Sequence, residues 1–333
     1  MGTESLRILH TSHTGLPDPR VEKTAMTMQK EGHELVFLGG RPITGHSLPA
    51  FNDSHYIPMV NNLRFVLDSR FKKKWIKKID KIGPDIIHAH NLIAASMLLG
   101  TDYPVIYDDH EYWGKQSFRF GTRGIIRKVA LLPLENRIQK WEKQMLENYP
   151  VLTVSENIAK EHRKLASHVG VTKNYPTLLE AEQLQNPDER NGSVYVGGDF
   201  NLSKFQPHRN MEGLKDVLNF DILSGLEHGT LMEKLTHYRF GLTPWRPHPF
   251  HMYCEPNKHY EYLIAGLQVI LTSTLIHPIK DDPFVHSFDT YDEIPELLNR
   301  IESIDGSKIM MHSRERYVWE KQEQVIRDTY KLV

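Results

Sequence analysis

The sequence predicts an α/β protein made of two doubly wound units, each built on a parallel β-sheet. Three observations support this prediction. The chain has 333 residues, which is long for one ordinary hydrophobic core and suits two. Short apolar strands alternate with helices, as in parallel sheets that are covered on both faces. The alternation restarts after a polar linker at 174–191, which contains Pro176 and Pro187.

The first unit is predicted to hold five strands with helices between them. Gly32 ends the first helix, and Gly39-Gly40 closes the second strand. Ser155 is predicted to cap a helix after the last strand, because its side chain can accept a bond from a free backbone N–H. The predicted strands are 6–11, 33–38, 85–89, 105–107 and 150–154, and the other predicted helices are 21–30 and 92–99.

The second unit repeats the pattern, and its first strand ends in Gly197-Gly198. The predicted strands are 193–198, 220–223, 240–243 and 269–271, and the predicted helices are 211–218, 231–237 and a short one opened by Pro256. A last helix is predicted over 317–332. It is amphipathic and rich in aromatic residues, so it could pack within the second unit or cross back to the first.

Composition excludes several classes of protein. Apolar residues make up 39% and charged residues 25% of the chain, as in soluble globular proteins. The net charge of −1 gives no drive toward nucleic acid, and the single cysteine, Cys254, excludes an internal disulfide. No apolar run is long enough to span a bilayer, and the start lacks the layout of a signal peptide, so a cytoplasmic location is predicted. The 19 histidines are scattered without HExxH or CxxC spacing, so no metal site is predicted.

The segment from Glu255 to Gly266 carries the clearest chemistry. It reads as a loop, a short helix after Pro256, a glycine stop and then a buried strand. A helix N-terminus offers free N–H groups to a phosphate, and Lys258 would add a full charge. Glu261, one turn on, could accept hydrogen bonds from the hydroxyls of a ribose. The alternative is an ordinary solvated pair of Lys258 and Glu261 on a helix surface.

Ligands of open α/β sheets bind beyond the carboxyl ends of the strands. The loops at those ends are polar, and they are 12–20, 88–91, 108–113, 197–209 and 245–261.

Eight stretches of the chain, in order, resemble landmarks of one enzyme family. They are Asp18-Pro19-Arg20-Val21, Gly32-His33-Glu34-Leu35, Asp85-Ile86-Ile87-His88-Ala89-His90, Tyr107-Asp108-Asp109-His110-Glu111, Thr153-Val154-Ser155-Glu156, Val194-Tyr195-Val196-Gly197-Gly198, Pro256-Asn257-Lys258-His259-Tyr260-Glu261-Tyr262 and Trp319-Glu320-Lys321-Gln322. The likeness is to GT-B fold glycosyltransferases, in particular their family 4-like, retaining branch, and it covers nearly the whole chain.

The resemblance implies an N-terminal Rossmann-like domain at 1–175 that binds the acceptor and a C-terminal one at 176–315 that binds a nucleotide sugar. Residues 316–333 would form a helix that crosses back to the first domain, and catalysis would take place in the cleft. No cofactor and no metal are implied, since the nucleoside diphosphate sugar is itself the donor substrate.

The resemblance also assigns roles by position. Glu261 would bind the ribose. The diphosphate would be held by Lys258 and by a basic residue after the glycines, with Arg209 preferred over Lys204. His110 would line the sugar site and Gly15 would lie close to the donor. The other expected donor contacts are Gly197, Gly198, Glu255, Asn257 and Tyr260, and the expected acceptor or cleft-wall residues are Arg20, His90, Asp109, Glu111, Trp113 and Trp245.

Two departures from the family pattern concern the donor site. Tyr253 stands where the family commonly has a first glutamate, and Glu255 is the nearest carboxylate. Asp199-Phe200-Asn201 follows the glycines where an arginine and a lysine are usual.

Several of these side chains have structural alternatives. Arg20 could be a surface residue at a helix N-terminus instead of an anion contact, and His88 is interpreted as structural. His110, among three carboxylates, could be a charge-paired residue at a strand end. Trp113 and Trp245 could belong to the core.

Residues 64–81 hold eight basic and two acidic side chains, interleaved with apolar ones that include Trp75. A basic amphipathic helix with a tryptophan can lie on an anionic membrane, so reversible membrane contact is a hypothesis. The alternative is that the aromatic residues face the sheet and the lysines are only solvated.

The function that fits these patterns is retaining transfer of a sugar from a UDP- or GDP-linked donor to a glycan, a lipid-linked molecule or another hydroxyl acceptor. A nucleotide-sugar epimerase of the same fold and a non-catalytic nucleotide-sugar-binding subunit are the alternatives. A nicotinamide dehydrogenase is disfavoured because neither half has GxGxxG after its first strand.

Overall fold

A computed structural model describes residues 5–46, 48–58, 69–115, 125–198 and 207–333. The chain divides into two compact units. The first comprises Met1–Gln116, Pro133–Lys173 and Gln322–Val333, and the second comprises Ser117–Leu132 and Asn174–Lys321. The limits predicted from the sequence, 175/176 and 315/316, lie near two of these boundaries. The placement of 117–132 in the second unit has no counterpart among the predictions.

The first unit is built on a seven-stranded sheet in the order β3-β2-β1-β4-β5-β6-β7. All of its strand pairs are parallel. The strands are β1 Arg7–Ser12, β2 Glu34–Gly39, β3 Asp53–Tyr56, β4 Ile86–His90, β5 Val105–Asp109, β6 Val151–Thr153 and β7 Val169–Val171. Strand order reverses between β1 and β4, and such a switch point is where doubly wound sheets bind ligands.

The second unit is built on a five-stranded parallel sheet in the order β12-β11-β10-β8-β9. Its strands are β8 Ser193–Val196, β9 Asp221–Leu223, β10 Phe240–Thr243, β11 Gln268–Thr272 and β12 Val285–Phe288. The switch point lies between β8 and β10. Two parallel sheets with helices confirm the predicted α/β, GT-B-like class.

The α-helices of the described residues, in chain order, are α1 Pro19–Gln29, α2 Ser69–Ile82, α3 Asn91–Ser96, α4 Ile125–Asn148, α5 Glu156–His162, α6 Leu178–Gln183, α7 His228–Leu235, α8 Asn257–Ile264, α9 Ile294–Arg300, α10 Gly306–Arg314 and α11 Glu323–Tyr330. None of them combines the length and the apolar character that crossing a bilayer requires.

Capping residues set the ends of the helices that matter for the site. The Asp18 carboxylate accepts bonds from the backbone N–H groups of Arg20 and Val21, and Pro19 occupies the first position of α1. The predicted Ser155 cap of α5 is confirmed, since its hydroxyl accepts from Asn157 N–H.

The predicted loop, helix, stop and strand around Pro256 are confirmed. Pro256 occupies the N-cap position of α8, and Gly266 follows the helix at a φ of +85°. Only glycine adopts that left-handed conformation without strain, so the helix ends there. Every residue of β11 is then buried.

Two predicted helices are wrong in extent. Over 211–218 the chain forms only a 3-10 turn at Leu214–Asp216, because Gly213 at a φ of +84° interrupts a regular helix. Over 317–332 a 3-10 turn at Trp319–Gln322 precedes α11. The backbone N–H of Trp319 donates to the Pro176 carbonyl at 2.8 Å, so a tertiary contact shapes this turn.

Three strands and one long helix are missing from the sequence prediction. β3 reads Asp-Ser-His-Tyr and is polar, so it has no apolar pattern to find. β7 has three residues and β12 four, which is too short for a periodic signal. α4 has 24 residues but contains Pro133, which normally argues against a helix interior.

Candidate functional site

Polar side chains converge on one face of the first sheet near its switch point. His10 pairs in register with His88, and His90 pairs with Asp108. Since side chains alternate along a strand, these four point to the same face of the sheet. All four are fully buried.

A buried ion pair anchors this face. The Arg20 guanidinium donates to both oxygens of Asp108, from Nη2 to Oδ1 at 2.6 Å and from Nε to Oδ2 at 3.2 Å. It also donates to the carbonyl oxygen and the hydroxyl of Thr172, at 2.7 and 2.9 Å. Burial alone would raise the pKa of Asp108, but Arg20 and His110 hold it well below its usual range. Asp108 is therefore an ionised acceptor.

Imidazole nitrogens surround the same carboxylate. His90 Nδ1 and His110 Nε2 each lie 3.2 Å from Asp108 Oδ2, and His88 Nε2 lies at 3.5 Å. Tyr330, from α11, contacts His88 Nδ1 at 2.7 Å through its hydroxyl.

Burial keeps three of these histidines neutral. It lowers the pKa of His10, His88 and His90, so all three rings are uncharged at neutral pH. His88 Nε2 has no hydrogen-bond partner among the described residues. An ionised carboxylate only accepts hydrogen bonds, so His90 Nδ1, which faces Asp108, carries the proton of its ring. His90 Nε2 is then the acceptor toward His10 Nδ1, at 2.9 Å.

Among the residues that the structure describes, two sets of three side chains have ligand atoms close enough for a metal ion, within 4.8 Å of one another. They are His10, His88 and His90, and His90, Asp108 and His110. The second set shares its carboxylate with Arg20, which already neutralises it. A divalent cation there would add uncompensated charge to a buried site, which is costly.

His110 is the member of this network that reaches solvent. Its side chain is 14% exposed. Asn91 lies beside it, with its Nδ2 3.3 Å from His110 Nδ1, and Trp113 lies on the far side of Asn91. His110, Glu111 and Trp113 are all partly exposed near the carboxyl ends of β4 and β5.

Four other predicted residues of the first unit take structural positions. Arg20 and Asp109 are buried among protein partners instead of lining an open wall, and Asp109 accepts from Tyr107 Oη and His162 Nε2, both at 2.8 Å. His90 is also fully buried. Gly15 lies against the Pro42 carbonyl oxygen, which a Cβ would overlap, so this position requires glycine.

In the second unit, Lys258 lies at the sheet's switch point. Its Nζ donates to the carbonyl oxygen of Val196, the last residue of β8, at 2.6 Å. It also lies 4.2 Å from the ring centre of Tyr195 and 5.2 Å from that of Trp245. Burial, and next the charge of Arg209, lower the pKa of Lys258 to about 7, against an opposing effect of Glu261.

Arg209 supplies a second cation at the same edge of the second sheet. Its guanidinium carbon lies 5.4 Å from the ring centre of Trp245. Its Nε is buried and has no hydrogen-bond partner within the described part of the chain. Two neighbouring cations, of which Arg209 lowers the pKa of Lys258, favour an anionic ligand.

Further buried polar atoms at this edge have no partner among the residues that the structure describes. They are the hydroxyls of Thr243 and Thr272, which end β10 and β11, and both ring nitrogens of His259 on α8. Buried polar atoms are nearly always hydrogen-bonded in native proteins. Such a concentration is typical of a ligand site.

The remaining predicted donor residues differ in position. Asn257 is exposed and Glu261 partly exposed on α8, and Gly198 is exposed after β8. A Cβ on Gly197 would lie 2.7 Å from the Tyr195 hydroxyl, so this position needs glycine. Lys204 lies outside the described residues.

Glu255, Tyr260 and Trp245 have little open surface. Tyr260 is fully buried, packs against Tyr175 and Tyr317 at ring-centre distances of 4.6 and 5.4 Å, and donates to Glu255. The structure therefore gives Tyr260 a core position that orients Glu255. Trp245 is 3% exposed and forms the floor under Lys258 and Arg209.

Sequence reasoning missed Asn91 and Asp108 as site residues. Asn91 immediately follows β4 and has a φ of +66°, and this position at a strand's carboxyl end is the signal that could have found it. Asp108 could not be separated from Asp109 by sequence, since only the pleat of β5 decides which one faces Arg20.

Comparison with known proteins agrees with this architecture. Residues 20–174 match the family model of Glycosyltransferase Family 4. Residues 20–174 are therefore similar to Glycosyltransferase Family 4, and the chain has the GT-B fold. No curated protein matches this chain by sequence.

Solved structures show the same fold over nearly the whole chain. Sucrose-phosphate synthase from Thermosynechococcus elongatus superposes with a TM-score of 0.68 at 15% identity, covering 98% of each chain. A glycosyltransferase from Rickettsia africae gives 0.58 at 12% identity, covering 99% of this chain and 98% of that one. The catalytic domain of starch synthase IV from Arabidopsis thaliana, bound to ADP and acarbose, gives 0.55 at 12% identity, covering 98% and 99%.

Proposed function

We propose that this protein is a glycosyltransferase that moves a sugar, with retention, from a UDP- or GDP-linked donor to a hydroxyl acceptor. The observation that carries the proposal is the pair of Lys258 and Arg209 at the switch point of the second sheet. Lys258 stands in the first turn of α8, where free N–H groups and the helix dipole also favour a phosphate.

The chemistry of transfer matches what these groups supply. Breaking the bond to the anomeric carbon leaves negative charge on the nucleoside diphosphate. Lys258 and Arg209 would stabilise that charge where it develops, and electrostatic stabilisation of this kind accounts for much of the rate enhancement of many enzymes. The mostly buried surroundings of Lys258 strengthen this interaction, because water screens it less.

The proposed contact with the donor's ribose and the proposed retention of configuration both rest on the resemblance to GT-B glycosyltransferases. Glu261 is partly exposed on α8, one turn after Lys258, and its carboxylate would accept bonds from the ribose hydroxyls. Retention would follow if the acceptor attacks from the side of the leaving group, with a diphosphate oxygen taking its proton. No metal is needed for this scheme if the two cations carry the charge.

Nucleotide binding is expected to weaken with rising pH. The pKa of Lys258 is lowered to about 7 in the free protein. A bound diphosphate favours the ammonium, so its pKa rises and binding above pH 7 takes up a proton. The Kd for UDP or GDP should therefore increase by up to about tenfold per pH unit above pH 7. Calorimetry at pH 6.5, 7.5 and 8.5, in buffers of different ionisation enthalpy, measures both the Kd and the proton uptake.

The matched control for that experiment is Lys234→Ala, which removes an exposed lysine from α7 of the same unit. It should keep the wild-type pH dependence, whereas Lys258→Ala should lose it. A Kd that is independent of pH in the wild-type protein would contradict the assignment of Lys258 to the diphosphate.

A non-catalytic nucleotide-sugar-binding subunit is the second candidate. It is favoured by Tyr253 at the position of the family's first glutamate, because that carboxylate commonly contacts the transferred sugar. Tight nucleotide-sugar binding with neither transfer nor donor hydrolysis would support this candidate.

We further propose that α2 contacts anionic membranes from the cytoplasmic side and so approaches lipid-linked acceptors. Its exposed side chains are Ser69, Arg70, Lys73, Lys74, Lys77, Asp80 and Lys81, so the exposed face is mostly basic. Its apolar side, with Trp75, Ile79 and Ile82, is buried. The contact would therefore be electrostatic, without insertion of the tryptophan. Residues 64–68 of the predicted segment lie outside the described residues.

Vesicles with anionic lipid are expected to bind the protein at low salt and to release it at high salt, because charges alone hold it. Flotation measures this, and tryptophan emission should not shift. Lys73→Glu with Lys77→Glu should abolish binding, and Lys234→Glu with Lys308→Glu, which change the net charge equally, should not. Salt-independent binding, or none at low salt, would contradict the proposal.

A further inference from the structure

Asn91 has an unusual backbone conformation beside His110. It is the first residue of α3, directly after β4, and its φ is +66°. Among the described residues it is the only non-glycine with a positive φ. Asparagine tolerates this conformation better than most residues, yet the strain has to be offset by the surroundings. The contacts of the Asn91 side chain indicate which interactions offset this strain.

The orientation of the Asn91 amide is fixed by Trp113. The indole Nε1 lies 3.4 Å from Asn91 Oδ1. An indole N–H can only donate, so the amide oxygen must face it. The amide nitrogen then faces His110 Nδ1, at 3.3 Å, and donates to it.

The other side of the His110 ring is fixed by Asp108. The ion pair with Arg20 keeps this carboxylate ionised, so it accepts a hydrogen bond from His110 Nε2 at 3.2 Å. Hydrogen bonds therefore run in one direction, from Trp113 through Asn91 and His110 to Asp108. A donor-only group begins this chain and an acceptor ends it, so no other arrangement of protons satisfies these three contacts.

We propose that Asn91 is a positioning residue that holds the His110 ring in the tautomer with its proton on Nε2. The strained backbone brings the amide into reach of Nδ1, and Trp113 prevents the amide from turning over. His110 is thereby presented in one orientation and one protonation pattern at the partly exposed end of the buried histidine network. The proton assignment stands independently, and the effect on transfer rests on the proposed function.

Nitrogen NMR of the full-length protein, labelled at histidine, tests the proton assignment directly. The His110 signals are identified by their loss in His110→Gln. In the wild-type protein Nε2 should be protonated and Nδ1 bare. Asn91→Asp replaces the donor by an acceptor, so Nδ1 should become protonated. Asn91→Gly keeps the backbone conformation and removes the amide, so the two tautomers should mix.

Kinetics test what the fixed ring does. Asn91→Gly should lower kcat for transfer by about tenfold to a hundredfold, which is the order expected when a catalytic group is misplaced. The Kd for UDP or GDP should stay unchanged, because the predicted nucleotide contacts belong to the second unit. Trp113→Phe, which frees the amide to turn, should have a smaller effect in the same direction.

The two readouts separate the possible failures. Protonated Nδ1 in the wild-type protein, or an Asn91→Asp spectrum identical to wild type, would overturn the inference. If the wild-type protein transfers no sugar but the NMR result is as expected, the proposed function fails and the positioning of His110 stands. If Asn91→Gly does not fold, Asn91→Asp takes its place in the test, because it changes one atom and keeps the shape of the side chain.

Discussion

Arg20→Ala is expected to destabilise the first unit by about 3–5 kcal/mol, the cost of leaving one partner of a buried ion pair alone. Arg20 and Asp108 are 6% and 0% exposed and meet at 2.6 Å. Without the guanidinium, Asp108 keeps only histidine partners, and burial keeps the His88 and His90 rings neutral. Two hydrogen bonds to Thr172 are lost as well. Urea unfolding followed by circular dichroism measures the change.

Arg163→Ala is the matched control, because Arg163 pairs with Glu156 at 3.3 Å on the surface of the same unit. An exposed pair contributes about 0–1 kcal/mol, so this variant should unfold nearly as the wild type does. Equal stability of Arg20→Ala and Arg163→Ala would show that Asp108 is not held as described. Arg20→Met with Asp108→Asn should recover part of the loss, since it removes both charges.

The contribution of the Arg20–Asp108 ion pair to folding stability also depends on pH. The folded pKa of Asp108 lies well below the value of an unfolded aspartate. The ionised carboxylate therefore stabilises the fold above the unfolded pKa, and this stabilisation is lost as the pH falls toward the folded pKa. The difference in free energy of unfolding between the wild-type protein and Arg20→Ala should therefore become smaller at acidic pH.

Lys258→Met is expected to lower kcat/KM for sugar transfer by about a hundredfold to a thousandfold, or about 2.7–4 kcal/mol, as for one lost oxyanion-type donor. The methionine keeps the apolar stem against Tyr195 and Trp245 and removes only the charge. Transfer is measured by release of the nucleoside diphosphate with a donor that the wild-type protein accepts.

Two variants give this second experiment its controls. Lys234→Met should keep wild-type transfer, because that lysine is exposed on α7. Lys258→Arg should retain part of the activity, since it keeps the charge in a bulkier group. Wild-type transfer by Lys258→Met would exclude this lysine from stabilising the leaving group.

The sequence predicted the fold class, and it indicates a region for the proposed donor site, because both depend on local patterns. The Pro256 helix, its glycine stop and the following strand are set by residues that are neighbours in sequence. Strand ends collect at one edge of a parallel sheet, so the loop that contains Lys258 could be assigned to the ligand side without coordinates.

The direction in which individual side chains point could not be predicted from such local patterns. Arg20 and Asp108 are separated by 88 positions, and only the packing of α1 on the sheet brings them together. Tyr260 follows Lys258 by two residues, which turns it to the opposite side of α8 and into the core. The bare sequence shows the residue types but not these directions.

The basic segment illustrates the same limit. Its composition suits a membrane-inserting helix, but Trp75 is fully buried. The apolar stripe of an amphipathic helix packs against its own sheet whenever that face is available. The side chains that stay exposed are mostly charged, so the proposed membrane contact is electrostatic.

A crystal structure of the protein with bound UDP or GDP tests the donor site most directly. The diphosphate is predicted to lie at the start of α8, in contact with Lys258 Nζ and the Arg209 guanidinium, with the ribose hydroxyls facing Glu261. A nucleotide bound elsewhere in the protein, with both cations untouched by it, would contradict the assignment.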